Sequence, residues 1–305
     1  MEELIMLIDE IIDFCDNMYN SNPAIEDKCV CADCSHPTKC PGRCDDCLHQ
    51  IHYKNDDEES RHSYNCKNLT SFYVCKYAKK YSSELIYAFR KCKSLQNLNT
   101  FKVLSVGCGP CTDLMAIDYL YHKNEYRFNN LEYLGIDLLE QPWGNIHKKI
   151  QEYFVDDLIR FIYDDIIIFI DKIVDWDWSP DVIVFQYFFS DLQKNICKKK
   201  ILDFINKIAY YINNKMRNNT YVIFNDINLS CKYNGGREYF DILLSKINHK
   251  TYQRLHFNNS NHENHYEYGD EYPSNDIFFD ISQGQKYQPF DSCASAQLII
   301  KKIGD

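Results

Sequence analysis

The chain has 305 residues, 45% of them hydrophobic and 26% charged, enough apolar material for a full core, which excludes disorder as the main state. Its 34 Lys and Arg against 44 Asp and Glu leave a formal charge of -10, the wrong overall sign for a protein that wraps nucleic acid phosphates. Fifteen cysteines are too few for a disulfide-built mini-protein, yet six of them crowd between Cys29 and Cys47.

The first residues, Met1-Glu2-Glu3-Leu4, are acidic where a signal peptide needs basic side chains, and Asp9 and Glu10 interrupt the apolar stretch that follows. The longest apolar run elsewhere, 166–170, is far short of the roughly 20 residues that span a bilayer. The expectation is a cytoplasmic protein with no membrane partner and with its thiols reduced, so a cysteine cluster points to metal or redox chemistry before disulfides. Leu4, Ile5, Ile8, Ile11, Ile12 and Cys15 fall at helical spacing, and that helix is expected to end near 20–23.

Residues 28–66 have no period and carry the cluster. Two-residue gaps let Cys31 with Cys34, and Cys44 with Cys47, reach one tetrahedral ion through a tight turn. With Cys29, Cys40, His52 and Cys66 they make a ligand set for one or two zinc ions, an iron–sulfur cluster being the alternative. His36, His49 and His62 read as surface or filler. Zinc here would fasten an N-terminal region, 1–95, whose last helix is expected over 71–92, onto a second region at 96–305.

From there the pattern alternates. Strands are expected at 102–106, 133–136, 166–170, 181–185 and 221–224, with helices near 112–121, 145–162, 192–213 and 238–247. Continuous apolar strands separated by helices imply a parallel sheet covered on both faces. Segments 277–281 and 296–302 have no helix between them and read as an antiparallel pair. The fold class is therefore α/β: a doubly wound, mostly parallel seven-stranded sheet closed by an antiparallel C-terminal pair.

Val103-Leu104-Ser105-Val106-Gly107-Cys108-Gly109-Pro110-Cys111-Thr112-Asp113 is a strand running into a glycine turn and then a helix. Glycine suits a turn with unusual backbone angles that a ligand must approach closely. A second strand, Leu134-Gly135-Ile136-Asp137, ends in a carboxylate placed to accept hydrogen bonds from ribose hydroxyls. On these motifs the chain resembles the class I S-adenosylmethionine-dependent methyltransferases over about 95–305. The resemblance implies that Gly107 and Gly109, with Cys108 in the same turn, line the methionine part of the cofactor, and that Asp137 binds its ribose. It implies adenine contacts at the exit of the third strand, Asp171 or Asp175. It also puts Gln186 and Tyr187 where cofactor and substrate meet, and the helix before the first strand, at Tyr81 to Glu84, against the cofactor.

The chain departs from the family pattern at Ser105, where an acid is common, at Cys111, where a third glycine is common, and in the distance from turn to ribose acid. That distance is roughly ten residues beyond the usual spacing of about twenty, which a loop at 121–130 would absorb. Methyl transfer needs alignment and desolvation more than a catalytic group, and an aromatic wall suits a sulfonium. If the acceptor must lose a proton, Tyr187 and Asp191, with Asp226, are the candidate bases. The Asn/Asp-Pro-Pro-aromatic loop of exocyclic-amine methylation is absent, as is the Pro-Cys pair of cytosine-C5 enzymes. The polar insert at 256–275, acidic at Asp270, Glu271 and nearby Asp276, suits a cationic small molecule or peptide. Two other readings stay open: a zinc-stabilised interaction module with a non-catalytic pocket, and an RNA-modifying methyltransferase, which the acidic balance disfavours. Oligomeric state is left open.

Overall fold

The computed structural model describes residues 5–20, 44–52, 64, 66–174, 178–233, 235–255, 275–282 and 285–304. Within them the chain runs α1 (Leu7–Asn20), α2 (Cys44–His52), α3 (Lys67–Lys91), β1 (Thr100–Val106), α4 (Thr112–His122), β2 (Asn130–Asp137), α5 (Glu140–Tyr153), β3 (Leu158–Tyr163) and α6 (Ile166–Val174). It continues through β4 (Val182–Gln186), α7 (Phe188–Asn195), α8 (Lys198–Asn214), β5 (Tyr221–Asp226), α9 (Glu238–Leu244), β6 (Tyr252–Leu255) and β7 (Ala296–Lys302). The strands form one sheet in the order β3-β2-β1-β4-β5-β7-β6. The first five are parallel, and β7 runs antiparallel between β5 and β6. This is the expected doubly wound, mostly parallel seven-stranded sheet with an antiparallel pair at its end.

Strand alternation divides the core into two layers. Phe101, Val103, Leu131, Tyr133, Val182, Val184, Tyr221 and Ile223 turn to one face, where they share a buried cluster with residues of α1, α3, α4 and α5. Leu104, Val106, Leu134, Ile136, Ile183, Phe185, Val222 and Phe224 turn to the other, packed with α6, α7, α8 and α9. Both faces of the strands are therefore apolar, which is why these segments read as continuous hydrophobic runs.

Three expectations are corrected. The apolar run at 166–170 is not the third strand but the start of α6. Asp165 caps it: its Oδ1 accepts the Ile167 N–H at 2.9 Å, and its carbonyl accepts those of Ile168 and Phe169 at 3.0 and 2.8 Å. This cap overrides the β-branched composition of the run. Ile166, Phe169 and Ile170 are buried while Ile168 is 62% exposed, a helical and not a strand period. The third strand lies earlier, at Leu158–Tyr163, paired with β2 from Glu132 to Asp137. The expected helix at 145–162 correspondingly begins and ends sooner, as α5.

The second correction is at 277–281, which is not a strand. The Phe278 N–H donates to Ser83 Oγ at 3.0 Å and its ring lies 4.8 Å from that of Tyr87, so the segment's apolar side chains cover α3. The strand that pairs with β7 on its outer side is β6. The long helix expected at 192–213 is also divided into α7 and α8, with Ile196 and Cys197 extended between them.

Candidate functional site

The parallel register places the ends of β1 and β2 side by side, Val106 opposite Ile136, so Gly107 and Asp137 leave the sheet at the same edge. The N–H groups of Gly107 and Cys108 both donate to the Ile136 carbonyl, at 2.8 and 3.1 Å. Gly107 and Gly109 have φ of +65° and +46°, backbone that side chains resist. Cys111, at the third glycine position of the pattern, takes up the left-handed region as well, with φ 60° and ψ 46°, and α4 begins directly after it. The Asp137 carboxylate binds both neighbouring loops: Oδ2 accepts the Gly109 N–H at 2.9 Å and Oδ1 the Leu139 N–H at 3.0 Å. Burial raises its pKa above the ordinary carboxylate range. The 121–130 segment does carry the extra length: α4 ends at His122 and β2 starts at Asn130.

Gly135, in the middle of β2, has no room for a side chain. A Cβ there would stand 2.8 Å from a Phe161 ring carbon and 2.9 Å from Cys108 Sγ. Gly135→Ala should therefore destabilise the fold by about 1–3 kcal/mol through overpacking, read as a shifted midpoint in urea unfolding. A midpoint equal to wild type would show that Phe161 yields without cost.

Beneath the turn lie three polar side chains of the same kind as a ligand set. Cys108, Cys111 and His147 are buried, and their ligand atoms all lie within 4.8 Å of one another. His147, on α5, stacks on Phe161 with ring centroids 3.8 Å apart, and its Nδ1 is 2.8 Å from the Tyr163 hydroxyl. Burial opposes ionisation of Cys111, but the bond from Cys108 and the adjacent His147 outweigh it and bring its thiol down to about 5. Burial pushes Cys108 the other way.

The edge of β4 and β5 carries a second polar group. Gln186 accepts a hydrogen bond from Thr112 and donates to the Tyr81 carbonyl at 2.8 Å. Tyr187, with φ 53° at the start of α7, donates its hydroxyl to Glu84 Oε2 at 2.7 Å and accepts from Lys80 Nζ at 2.9 Å. Glu84 is fully buried and also binds Lys80 Nζ at 2.7 Å, the Asn225 amide at 2.8 Å and the Ala294 N–H at 3.3 Å. Burial, and after it the Glu84 carboxylate, hold the Tyr187 phenol well above its ordinary value, so it is a neutral donor near pH 7. Asp226 is buried and pushed up to about 6, with its oxygens accepting the N–H groups of Ser190 and Ile227. Asp191 stands on the exposed side of α7, where Asn195 Nδ2 donates to it at 3.1 Å.

An aromatic ladder, absent from the sequence reading, climbs α3. Tyr73, Tyr77 and Tyr81 recur every four residues, with successive ring centroids 4.9 and 5.1 Å apart, and Tyr81 continues to Tyr187 at 4.0 Å. Trp143 joins it, 5.9 Å from Tyr73 and from Tyr64. The spacing of four was visible in the sequence, since residues four apart share a helix face.

The structure thus brings Gly107, Cys108, Gly109, Asp137, Gln186, Tyr187 and Tyr81 to one edge of the sheet. Asp171 is not among them. It stands on α6, largely exposed, and pairs with Lys207 at 2.6 Å, because the third strand ends elsewhere. Asp175 lies outside the described residues, as do Cys29, Cys31, Cys34 and Cys40. Cys44 and Cys47 stand on the first turn of α2 and not in a tight turn, though their spacing still puts both thiols on one helix face. His52 is 3.4 Å from each of the Tyr64 and Tyr77 hydroxyls, and Cys66 precedes α3. Among the described residues, the ligand atoms of Cys44, Cys47, His52 and Cys66 do not gather into a set of three. The acid that follows β3 is Asp164: its N–H donates to the Asp137 carbonyl at 3.0 Å, and its carboxylate pairs with Lys172 at 3.1 Å.

No known family profile matches the chain, and no curated protein matches it. Solved structures do resemble it. The plantazolicin methyltransferase BpumL in complex with SAH is 13% identical, with 96% of this chain and 99% of that one covered at a TM-score of 0.46. A Listeria monocytogenes protein, provisionally described as a class I S-adenosylmethionine-dependent methyltransferase, is 12% identical over 97% of this chain and 88% of its own, at 0.44. A SAM-dependent methyltransferase from Geobacter sulfurreducens in complex with S-adenosyl-L-homocysteine is 14% identical over 56% and 64%, at 0.34. The strand order and the antiparallel β7 give this chain a Rossmann-like, doubly wound sheet, the fold class expected from the sequence.

Proposed function

We propose that the chain is an S-adenosylmethionine-dependent methyltransferase acting on a small molecule or peptide, with 96–305 as the catalytic part and 1–95 as a region built onto it. The observation that carries this reading is the bracket between Gly109 and Asp137. Two glycines at positive φ bare the main chain at the carboxyl edge of a parallel sheet, and the carboxylate that would hold a ribose is tied to the same turn. Asp164 replaces Asp171 as the acid leaving the third strand toward adenine. The tyrosine ladder supplies π faces for a sulfonium. Tyr187 serves as an orienting donor and not as a base, and Asp226 is occupied by backbone N–H groups, so transfer rests on alignment and exclusion of water. Zinc held by Cys29, Cys31, Cys34, Cys40, Cys44, Cys47, His52 and Cys66 remains part of this proposal, as a fastening of the N-terminal region.

Isothermal titration with S-adenosylmethionine and S-adenosylhomocysteine tests the reading, with micromolar binding as the expected result. No measurable heat or retained ligand would sink it. A non-catalytic interaction module is favoured by one observation, Cys111 in place of a third glycine. Binding without transfer of a labelled methyl group to amine, peptide or tRNA pools would select that reading, and transfer to tRNA would select RNA modification.

A further inference from the structure

We propose that Cys108, Cys111 and His147, together with the Gly109 carbonyl, form a zinc site beneath the glycine turn, separate from the N-terminal cysteines. Four donors converge there. Cys108 Sγ lies 3.9 Å from His147 Nε2, Cys111 Sγ lies 3.8 Å from the Gly109 carbonyl oxygen, and that oxygen lies 2.7 Å from Nε2. A tetrahedral ion with Zn–S of about 2.3 Å and Zn–N or Zn–O of about 2.0–2.2 Å holds its ligand atoms roughly 3.4–3.8 Å apart. The two contacts that involve sulfur meet that spacing closely. The short oxygen-to-nitrogen contact is a hydrogen bond that the ion would replace.

The surroundings fit a metal better than ordinary packing. The Cys-x-x-Cys spacing lets both thiols reach one ion, and the Cys111 N–H donates to the Cys108 carbonyl at 2.7 Å, closing a turn between them. His147 is fixed from behind, its Nδ1 on the Tyr163 hydroxyl and its ring on Phe161, the arrangement that sets tautomer and direction in metal-bound imidazoles. Asp113, on the first turn of α4, is buried with its Oδ2 unpaired, and its Oδ1 accepts from Tyr133. That leaves a buried polar atom without a partner two residues from Cys111. A groove of about 540 Å³ along α5 is lined by Glu140, Gly144, His147, Phe161 and Tyr163, so one ligand of the set borders it. The ion would tie the β1–α4 turn to α5, and soft S and N donors select zinc over calcium or magnesium.

Metal content of the purified full chain, measured by plasma mass spectrometry, tests the site. Cys108→Ser, Cys111→Ser and His147→Asn should each lose the same one equivalent of zinc, and Cys44→Ser should leave that equivalent in place. Should the variants fail to fold, alkylation of native wild type decides the matter. Cys108 and Cys111 should resist iodoacetamide until a chelator is added and then react. Folded variants with wild-type zinc content, or alkylation indifferent to the chelator, would overturn the proposal.

Discussion

Asp137→Ala should weaken binding of S-adenosylhomocysteine about 100-fold or more while leaving the far-ultraviolet circular dichroism unchanged. A ribose offers two hydroxyls to the carboxylate, and hydrogen bonds to a charged group are worth about 1.5–3 kcal/mol each. Losing both costs about 3 kcal/mol, and each 1.4 kcal/mol is a factor of about ten. The substitution also frees the N–H groups of Gly109 and Leu139, so the turn loses its anchor before any ligand arrives. Asp137→Asn separates the two effects. It keeps one acceptor for a hydroxyl but faces an amide NH₂ toward one of those backbone donors, and its affinity should fall between wild type and alanine. The pH dependence has a definite sign. Because burial raises the Asp137 pKa, the accepting, ionised form is lost on acidification at a higher pH than for an ordinary carboxylate, and affinity should decline with it. A change in dissociation constant under threefold in Asp137→Ala would remove the residue from the binding site.

What could be read from the chain depended on whether the physics was local. The glycine turn and Asp137 were legible because positive-φ backbone and a strand-end carboxylate leave marks in adjacent residues. β1, β2, β4 and β5 were legible because strands buried on both faces are apolar throughout. The third strand was misplaced because Leu158–Tyr163 is an outer strand with Leu158 and Arg160 exposed, and so looks less like a core strand than the Ile-rich α6 beside it. Only the cap at Asp165 distinguishes the two, and a cap is one residue against five. With the strand placed earlier, Asp171 falls on α6 and the acid that follows the third strand is Asp164. The Cys108, Cys111 and His147 group was half legible: the two thiols are neighbours in sequence, but His147 reaches them from α5, a contact set by how α5 packs on β2 and β3. Glu84 was singled out on α3, but its partners Tyr187, Asn225 and Ala294 come from three other segments.

Those partners make Glu84→Ala the most damaging single change in the α3 region. The variant would leave the Lys80 ammonium without its counter-charge at 2.7 Å, among the rings of Tyr81, Tyr187 and Phe290 at 5.2–5.4 Å. It would also strand the Tyr187 hydroxyl, the Asn225 amide and the Ala294 N–H. Breaking one side of a buried pair costs about 3–5 kcal/mol, more than the pair itself contributes, because an uncompensated charge remains. Glu84→Ala should therefore lower the free energy of unfolding by about that amount, seen as a melting temperature reduced by several degrees. The attribution to Lys80 is separable from the attribution to lost hydrogen bonds. Lys80→Met with Glu84→Gln removes both charges but keeps an acceptor for Tyr187 and Asn225, and it should recover most of the stability. The aromatic rings around position 80 accept a methionine, whose unbranched side chain fills irregular apolar space. If the double variant is as unstable as Glu84→Ala, the hydrogen-bonded geometry of Tyr187 and Asn225 dominates and not the charge. If Glu84→Ala itself loses less than about 1 kcal/mol, the network contributes nothing to holding α3 against the edge of the sheet.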